Sequence, residues 1–228
     1  MKTIKNKKIK HAIILAAGRG MRLKPFSNFL PKAMMPLYET SLIANGIKQI
    51  SKSIQYISIT VGYKKKELVE HVLEHNIHSI INTEGMGNSW WIFNTIYKYI
   101  NEPVLVMTCD NITNLNYNLL SKNYLKYNSP PIMLIGVDPI EGIEGDFIFS
   151  DKKNTITKLS RKRKSLIYSS GIQVINPYKI NKIIKRPVND FNKLWNKLIK
   201  KKQIILSDVK PINWFSVDNL ENLVKINK

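Results

Sequence analysis

The residues best suited to bind phosphate are concentrated in one stretch near the start of the chain. The apolar run 13–15 is followed by small residues that include Gly18 and Gly20. A buried parallel strand ends at the sheet edge where α/β proteins bind ligands, and glycines let the backbone N–H groups there approach an anion. Arg22 adds a planar guanidinium and Lys32 adds a point charge. The stretch therefore predicts a phosphate-binding loop.

This loop differs from two common phosphate-binding motifs. The dinucleotide fingerprint needs a third glycine where the chain has Leu23, and the P-loop needs a G-K-[ST] sequence that does not occur. The chain has instead G-x-G-x-R-L-x-P followed by L-P-K. This string resembles the signature of the sugar-phosphate nucleotidylyltransferases, L-A-A-G-x-G-[ST]-R-L-x-P-x-T-x-x-x-P-K. The residues that fall on its fixed positions after the strand are Gly18, Gly20, Arg22, Leu23, Pro25, Pro31 and Lys32.

Two positions of the loop depart from that signature. Met21 replaces a hydroxyl residue, so backbone donors must hold the phosphate there, whereas Ser27 keeps a hydroxyl. Arg22 and the glycine backbone are expected to hold the β- and γ-phosphates, and Lys32 to bridge the leaving and attacking groups. The predicted nucleotide-binding residues of this stretch are Leu15, Ala16, Ala17, Gly18, Gly20, Met21 and Arg22.

A carboxylate, Asp110, directly follows the apolar run 104–107 and Thr108-Cys109. If this run is another parallel strand, Asp110 lies at the same sheet edge as the loop. Mg²⁺ prefers a few carboxylates together with phosphate oxygens, and the resembled family has a metal-binding Asp here, so Asp110 is the predicted magnesium ligand. The alternative is that Asp110 only begins a turn. Cys109 is interpreted as a small buried residue because no partner base is indicated.

A second metal ligand is expected near the end of the chain. The sugar nucleotidylyltransferases have W-x-D-[VI]-G-T here, which places Ser216 at the position of their Asp. The related phosphocholine-type cytidylyltransferases have E-I-D-[ST], which the run 217–219 fits better. Asp218 is therefore the predicted second metal ligand, and the alternative is that it caps a helix beginning near Leu220.

Two further segments are interpreted as parts of the substrate site. Asn88 and Ser89 end a turn-rich segment and are predicted to contact the nucleotide, with a helix N-cap as the alternative. Gly171, in S-S-G-I, resembles a family glycine that permits close approach of the acceptor. Lys162 aligns with the lysine of the family's E-K-P, which contacts acceptor phosphate. Its neighbours lack both the Glu and the Pro, so a solvated basic run is the alternative.

The composition fits one enzyme-sized domain. The chain has 228 residues, 43% of them hydrophobic, which is enough for the core of a single domain predicted to span 1–228. Its nucleotide-binding half is expected at about 10–115 and its acceptor-binding half at about 116–228. No apolar run approaches the roughly 20 residues of a membrane span. The single cysteine fits a cytoplasmic protein.

The net charge of +20 is spread over the whole chain. Its basic runs are interpreted as solvated surface that steers anionic substrates toward the site. Nucleic acid is the rival partner, but the sequence has no helix-turn-helix, zinc-site or RNA-binding signature.

The order of apolar runs and helical patterns predicts an α/β fold. With the resemblance, the expected architecture is a three-layer, Rossmann-like, mixed but mostly parallel sheet with helices on both faces. Strands are predicted at 13–15, 54–61, 77–81, 104–107 and 132–137, a hairpin at 147–149 and 155–159, and helices at 42–50, 67–75 and 89–99.

These features predict a Mg²⁺-dependent nucleotidyltransferase that moves NMP from an NTP to a phosphorylated small molecule and releases pyrophosphate. The acceptor is expected to be a sugar 1-phosphate or a phospho-alcohol, with CTP slightly favoured and a role in surface polysaccharide or cell-wall precursor synthesis. A phosphate monoester has a second pKa of about 6, so the acceptor needs no general base. The alternatives are a non-catalytic nucleotide sensor, conceivable from Met21, Cys109 and Ser216, and a basic nucleic-acid-binding domain. The oligomeric state stays open.

Overall fold

The computed structural model describes residues 8–227, and the ends of the predicted domain, 1–7 and 228, lie outside the described residues. The strands, in chain order, are β1 (His11–Leu15), β2 (Pro36–Leu37), β3 (Thr40–Ser41), β4 (Tyr56–Val61), β5 (Ser79–Asn82), β6 (Val104–Thr108), β7 (Asn111–Thr113), β8 (Ile132–Val137), β9 (Phe147–Ser150), β10 (Ile156–Ser160), β11 (Tyr168–Ile175), β12 (Ile204–Leu206) and β13 (Trp214–Ser216). The α-helices are α1 (Leu42–Ser51), α2 (Lys65–Leu73), α3 (Trp91–Asn94), α4 (Tyr117–Lys126), α5 (Pro177–Ile183), α6 (Phe191–Lys200) and α7 (Leu220–Ile226). Short 3₁₀ helices lie at Met21–Leu23, Phe26–Asn28, Lys32–Met34 and Ile96–Tyr99.

One mixed sheet forms the centre of the molecule, with the main order β10-β9-β11-β6-β1-β4-β5. β8 pairs with β11 and carries β12 on its other side. The strands β6, β1, β4 and β5 are mutually parallel, whereas β11 runs antiparallel to both β6 and β8. The register sets Leu15 level with Thr60 and Thr108, so three central strands end at the same edge.

Helices cover both faces of this sheet. In β1, the buried side chains of Ala12 and Ile14 belong to the core formed with α1, α2 and α4. Ile13 belongs to the opposite core, formed with α3, α5 and α6. This alternation follows from the two-residue period of a strand that is buried on both faces. The predicted three-layer, mostly parallel α/β fold is confirmed.

Two predicted elements differ from the structure. The helix expected at 89–99 is broken into α3 and a 3₁₀ turn, because Thr95 is extended and its hydroxyl accepts from the Tyr97 N–H. The strand expected from residue 54 begins at Tyr56, because Ile54 still closes the turn after α1 by donating its N–H to the Ile50 carbonyl.

Two small sheets lie at the carboxyl edge of the main sheet. β2 pairs with β3 after the phosphate-loop region, and β7 pairs antiparallel with β13 directly beyond β6. Along residues 8–227, none of the helices has the length and apolar character that crossing a membrane requires.

Candidate active site

The carboxyl ends of β1, β4 and β6 open into a cavity of about 320 Å³. One wall is the loop after β1, and the opposite wall comes from the segment before α3. The residues that line it are Leu15, Ala17, Gly18, Lys32, Thr60, Thr83, Gly85, Met86, Asn88, Trp91, Thr108, Cys109 and Asp110. The predicted phosphate loop and the predicted metal-binding aspartate therefore lie at the same edge of the sheet.

The two glycines of the loop have different structural roles. Gly20 has φ +60°, and a Cβ added there would lie 2.8 Å from the Cβ of Lys32. Glycine is thus required for the turn and for the close passage of the lysine stem. Gly18 has no other heavy atom within 4 Å of an added Cβ. It borders the open cavity, so its missing side chain leaves room for a ligand.

Four charged side chains meet at the mouth of this cavity. The Lys32 ammonium contacts Asp110 Oδ2 and lies 3.3 Å from Asp218 Oδ1. The Arg22 guanidinium donates to the same Asp218 oxygen at 3.0 Å. The structure therefore brings together the predicted residues Arg22, Lys32, Asp110 and Asp218, although Asp218 is 108 positions from Asp110 in the printed sequence.

The pairing of β7 with β13 holds the two carboxylates in place. Ser216 lies opposite Asn111, and the N–H of Val217 donates to the Asp110 carbonyl at 3.1 Å. The indole N–H of Trp214 reaches Asn111 Oδ1 at 2.6 Å and the Ser170 carbonyl at 3.1 Å. The small sheet of β7 and β13, which Trp214 ties to β11, therefore fixes the positions of both aspartates.

Asp218 is not the cap of the last helix. Asn219 caps α7, with its side chain accepting from the Asn222 N–H at 2.8 Å. The Asp218 carboxylate remains directed to Lys32 and Arg22, and its side chain is 12% exposed. Ser216, the other candidate position, lies in β13 and is buried. Of the two, only Asp218 faces the Lys32 ammonium together with Asp110.

The electrostatic environment keeps the central pair charged. Burial acts to lower the pKa of Lys32, but the neighbouring anionic groups, Asp110 foremost and Asp218 with it, together outweigh burial, so the pKa lies above its ordinary value. Burial acts to raise the pKa of Asp110, and the Lys32 ammonium brings it below its ordinary value. Cys109 is buried, and this burial raises the pKa of its thiol to about 12. The thiol therefore stays protonated at neutral pH.

One oxygen of this carboxylate pair takes no part in the ion pairs with Lys32 and Arg22. Asp110 Oδ1 is buried and has no hydrogen-bond partner among the described residues. Such an oxygen is costly unless a cation or donor reaches it. Over residues 8–227 there is no group of three or more His, Cys, Asp or Glu side chains that could hold a metal. Two carboxylates with phosphate oxygens are nevertheless a set that Mg²⁺ accepts.

The structure places Asn88 and Ser89 differently from each other. Asn88 lines the cavity, while its Oδ1 accepts from the Phe191 N–H at 2.8 Å. Ser89 is fully buried, and its hydroxyl donates to the Val188 carbonyl. Neither residue caps α3, whose N-cap position is Trp90. Ser89 therefore anchors the segment to the start of α6 and is not part of the cavity wall.

Four other predicted residues have different surroundings. Gly171 has φ +77°, and an added Cβ would lie 3.2 Å from Nδ2 of Asn111, the residue after Asp110. Met21 is 55% exposed in the first 3₁₀ turn, and Ala16 is buried in the core. Lys162 is exposed in the bend after β10, and its contact with the acceptor phosphate stays a prediction.

Several cavity residues have no strong sequence signal. Thr60 is the penultimate residue of the apolar strand β4 and Thr108 is the last residue of β6, and their place at the carboxyl ends of strands is the available clue. Thr83, Gly85 and Met86 belong to the turn-rich segment from which the sequence predicts only Asn88 and Ser89 as site residues. Gly87 allows this segment to dock, because an added Cβ would lie 1.8 Å from the Asn189 carbonyl oxygen.

The fold and the site define an α/β protein with an anion-binding loop beside a pair of carboxylates. The family model for Nucleotidyl transferase matches residues 11–145, more than half of the chain. The chain belongs to this family, which confirms the resemblance seen in the loop and the predicted enzyme class, a nucleotidylyltransferase.

Similar proteins point the same way. The bifunctional sugar-1-phosphate nucleotidylyltransferase/acetyltransferase of Sulfurisphaera tokodaii is 26% identical over 187 residues, which are 82% of this chain and 36% of that protein. The chain spans between 24% and 40% of the length of archaeal relatives named bifunctional protein GlmU.

Solved structures confirm the fold. UDP-glucose pyrophosphorylase in complex with UDP-glucose has a TM-score of 0.73 at 16% identity, covering 96% of this chain and 97% of the other. The inositol-1-phosphate CTP transferase of T. maritima has a TM-score of 0.72 at 15% identity, covering 97% of both chains.

Proposed function

We propose that this protein transfers the nucleoside monophosphate of an NTP to a phosphorylated small molecule and releases pyrophosphate. The observation that carries the proposal is the convergence of Lys32, Arg22, Asp110 and Asp218 at the mouth of the cavity below the glycine loop. Phosphoryl-group chemistry needs charge neutralisation and alignment of the reacting groups. A positively charged loop beside a carboxylate pair can supply both.

The chain's own residues account for binding and orientation. The loop backbone from Gly18 to Gly20 and the Arg22 guanidinium would hold the β- and γ-phosphates. Lys32 would lie between the leaving pyrophosphate and the attacking oxygen and offset the charge that develops there. The acceptor phosphate is largely dianionic at neutral pH and is itself the nucleophile, so no protein base removes a proton.

Magnesium is the cofactor that the donor set fits. Asp110 and Asp218 would hold it, because Asp110 offers a buried oxygen without a partner and Asp218 lies against the same ammonium. When bound, the ion would supply charge stabilisation on the phosphate oxygens.

The substrates are proposed from the site and the relatives together. CTP is favoured slightly, because Val217-Asp218-Asn219 fits the cytidylyltransferase pattern; the proximity of Asp218 to the Lys32 ammonium supports this interpretation. A sugar 1-phosphate or a phospho-alcohol is the proposed acceptor; it would lie beside Gly171, and the exposed Lys162 would contact its phosphate. A cytoplasmic role in surface polysaccharide or cell-wall precursor synthesis would follow.

A pyrophosphate-release screen tests this function. The protein with Mg²⁺ is incubated with each of the four NTPs and a panel of phosphorylated sugars and phospho-alcohols. Release that requires one NTP and one acceptor class is the expected result. Nucleotide binding without pyrophosphate release from any pair would indicate a sensor instead. Steeply salt-dependent binding of DNA or RNA in place of nucleotide would indicate a nucleic-acid-binding domain.

A further inference from the structure

The ammonium of Lys32 lies between the two carboxylates that would hold the metal. Its Nζ contacts Asp110 Oδ2 and is 3.3 Å from Asp218 Oδ1. The exposed fractions of the three side chains are 14% for Lys32, 10% for Asp110 and 12% for Asp218, so water barely reaches the contact. A divalent ion that used these two oxygens would have to displace the ammonium.

The buried carboxylates of the cluster are already neutralised in large part without a metal. Asp110 and Asp218 face one ammonium, and Arg22 adds a second positive charge on Asp218. The exposed Glu144 carboxylate lies 3.6 Å from the same guanidinium. A divalent ion entering alone would leave an excess of positive charge around the two poorly hydrated carboxylates, where like charges repel strongly. A triphosphate changes this balance, because its oxygens offer new partners to Lys32, to Arg22 and to the ion together.

We propose that Lys32 acts as an internal stand-in for the divalent ion. It neutralises Asp110 and Asp218 until a nucleoside triphosphate binds, and its transfer to the phosphates frees both carboxylates for the metal. This inference rests on the proposed function, since it takes the two carboxylates as the metal ligands. Its consequence is that the protein takes up metal together with the nucleotide and binds the metal poorly without it.

Because the base of the Lys32 side chain passes close to Gly20, only its ammonium end would move in this transfer. A Cβ added at Gly20 would lie 2.8 Å from Lys32 Cβ and 3.5 Å from its Cγ, so the base of the lysine side chain runs against the loop. The flexible remainder of the side chain can therefore turn from the carboxylates toward phosphates held by the same loop.

The wild-type protein provides the first test, with Mn²⁺ as the probe. An ion that binds the native state raises the temperature of thermal unfolding. Mn²⁺ alone is expected to leave the unfolding temperature of the wild type unchanged. Mn²⁺ together with CTP, or with whichever NTP binds, is expected to raise it beyond the effect of the NTP alone. A clear increase with Mn²⁺ alone would overturn the inference, and this arm requires no variant to fold.

The second test compares Lys32→Met with Lys24→Met, which removes an exposed lysine from the same loop. The paramagnetic resonance signal of free Mn²⁺ reports binding in the absence of nucleotide. Lys32→Met is expected to bind Mn²⁺ at least about ten-fold more tightly than the wild type, because the competing cation is gone. Mn²⁺ should also raise the unfolding temperature of Lys32→Met, whereas Lys24→Met should match the wild type in both measurements.

The outcomes separate this inference from the proposed function. Equal Mn²⁺ affinities for Lys32→Met and the wild type would overturn the role of Lys32, while wild-type pyrophosphate release would still support the enzyme. If no NTP induces Mn²⁺ binding by the wild type, the metal site itself is wrong and the inference falls with it.

Discussion

Two regions beside the cavity are built from different interactions. The phosphate corner, formed by Gly20, Arg22, Lys32, Asp110 and Asp218, is held by ion pairs between segments far apart in the chain. The region that we propose for the acceptor, called the acceptor side and formed by β7, β9, β11 and β13, is held by strand pairing, by aromatic contacts and by neutral hydrogen bonds. The phosphate corner should therefore fail when one charge is removed, whereas the acceptor side should weaken gradually.

Tyr168 shows the character of the acceptor side. Its ring lies 5.3 Å from the ring of Phe147 and 6.2 Å from that of Trp214, measured between centroids. Its hydroxyl donates to the Ile143 carbonyl, and burial raises its pKa to about 12. The phenol is therefore neutral at physiological pH and contributes shape and packing, in contrast to the fully charged Lys32.

The largest expected effect comes from Asp110→Asn, which keeps the shape of the side chain and removes its charge. Pyrophosphate release should fall by about 10²–10³-fold, the loss typical of one charge-stabilising group in an active site. Asp138→Asn is the matched control, because Asp138 is 82% exposed in a surface ion pair with Lys210. Activity of Asp110→Asn within a few-fold of the control would remove Asp110 from the phosphate corner.

A somewhat smaller loss is expected for Arg22→Ala. The guanidinium holds Asp218 at 3.0 Å but is 56% exposed, so solvent can replace part of its effect. We expect a decrease of about 10²-fold in kcat/KM for the NTP, at the lower end of the cost of losing one such donor. Arg19→Ala serves as the control, since the Arg19 guanidinium lies 5.9 Å from the centroid of the Tyr63 ring instead. Equal steady-state kinetics for the two variants would show that the triphosphate is held elsewhere.

The two loop glycines test whether the corner depends on backbone shape as well as on charge. Gly20→Ala places a side chain at φ +60° and against Lys32, so it should lower the free energy of unfolding by about 1–2 kcal/mol or more. Gly18→Ala adds a methyl group in open space and should leave that free energy unchanged or slightly increased. Denaturant titration of both variants measures the difference, and a loss of similar size for both would contradict the distinction.

The same two sides differ in how far the sequence predicts them. The predicted strand at 132–137 coincides with β8, and Lys32 of the loop reaches Asp110, because the strands and the residues at their carboxyl ends are predicted by local patterns. The sequence does not show that β11 runs against its neighbours, since alternation of side chains carries no strand direction. β7 and β13 have three residues each, too few for a period to be seen.

The choice between Ser216 and Asp218 illustrates the same limit. Ser216 stands where one family pattern has its Asp, Asp218 fits the other pattern, and the chain segment around them has no decisive local signal. The pairing of β13 with β7 separates their surroundings, because Ser216 is used in the strand while Asp218 emerges beside Lys32. Such a contact depends on packing between distant segments, which local spacing does not contain.

The smallest effect is expected for Trp214→Phe, on the acceptor side. This change keeps an aromatic ring and removes the N–H that reaches Asn111 Oδ1 and the Ser170 carbonyl. The free energy of unfolding should fall by about 0.5–1.5 kcal/mol, the net value of one such hydrogen bond.

Trp195→Phe is the matched control for that loss. Its indole N–H donates to Gln173 Oε1 at 3.1 Å, and its ring packs in the core on the helix α6 side of the sheet. Both variants should lose similar stability, but only Trp214→Phe should raise the KM for the acceptor and weaken Mn²⁺ binding in the presence of NTP, with kcat reduced by a few-fold at most. Trp214 links β13 to the residue after Asp110. An unchanged KM and Mn²⁺ affinity for Trp214→Phe would therefore mean that the phosphate corner and the acceptor side are mechanically independent.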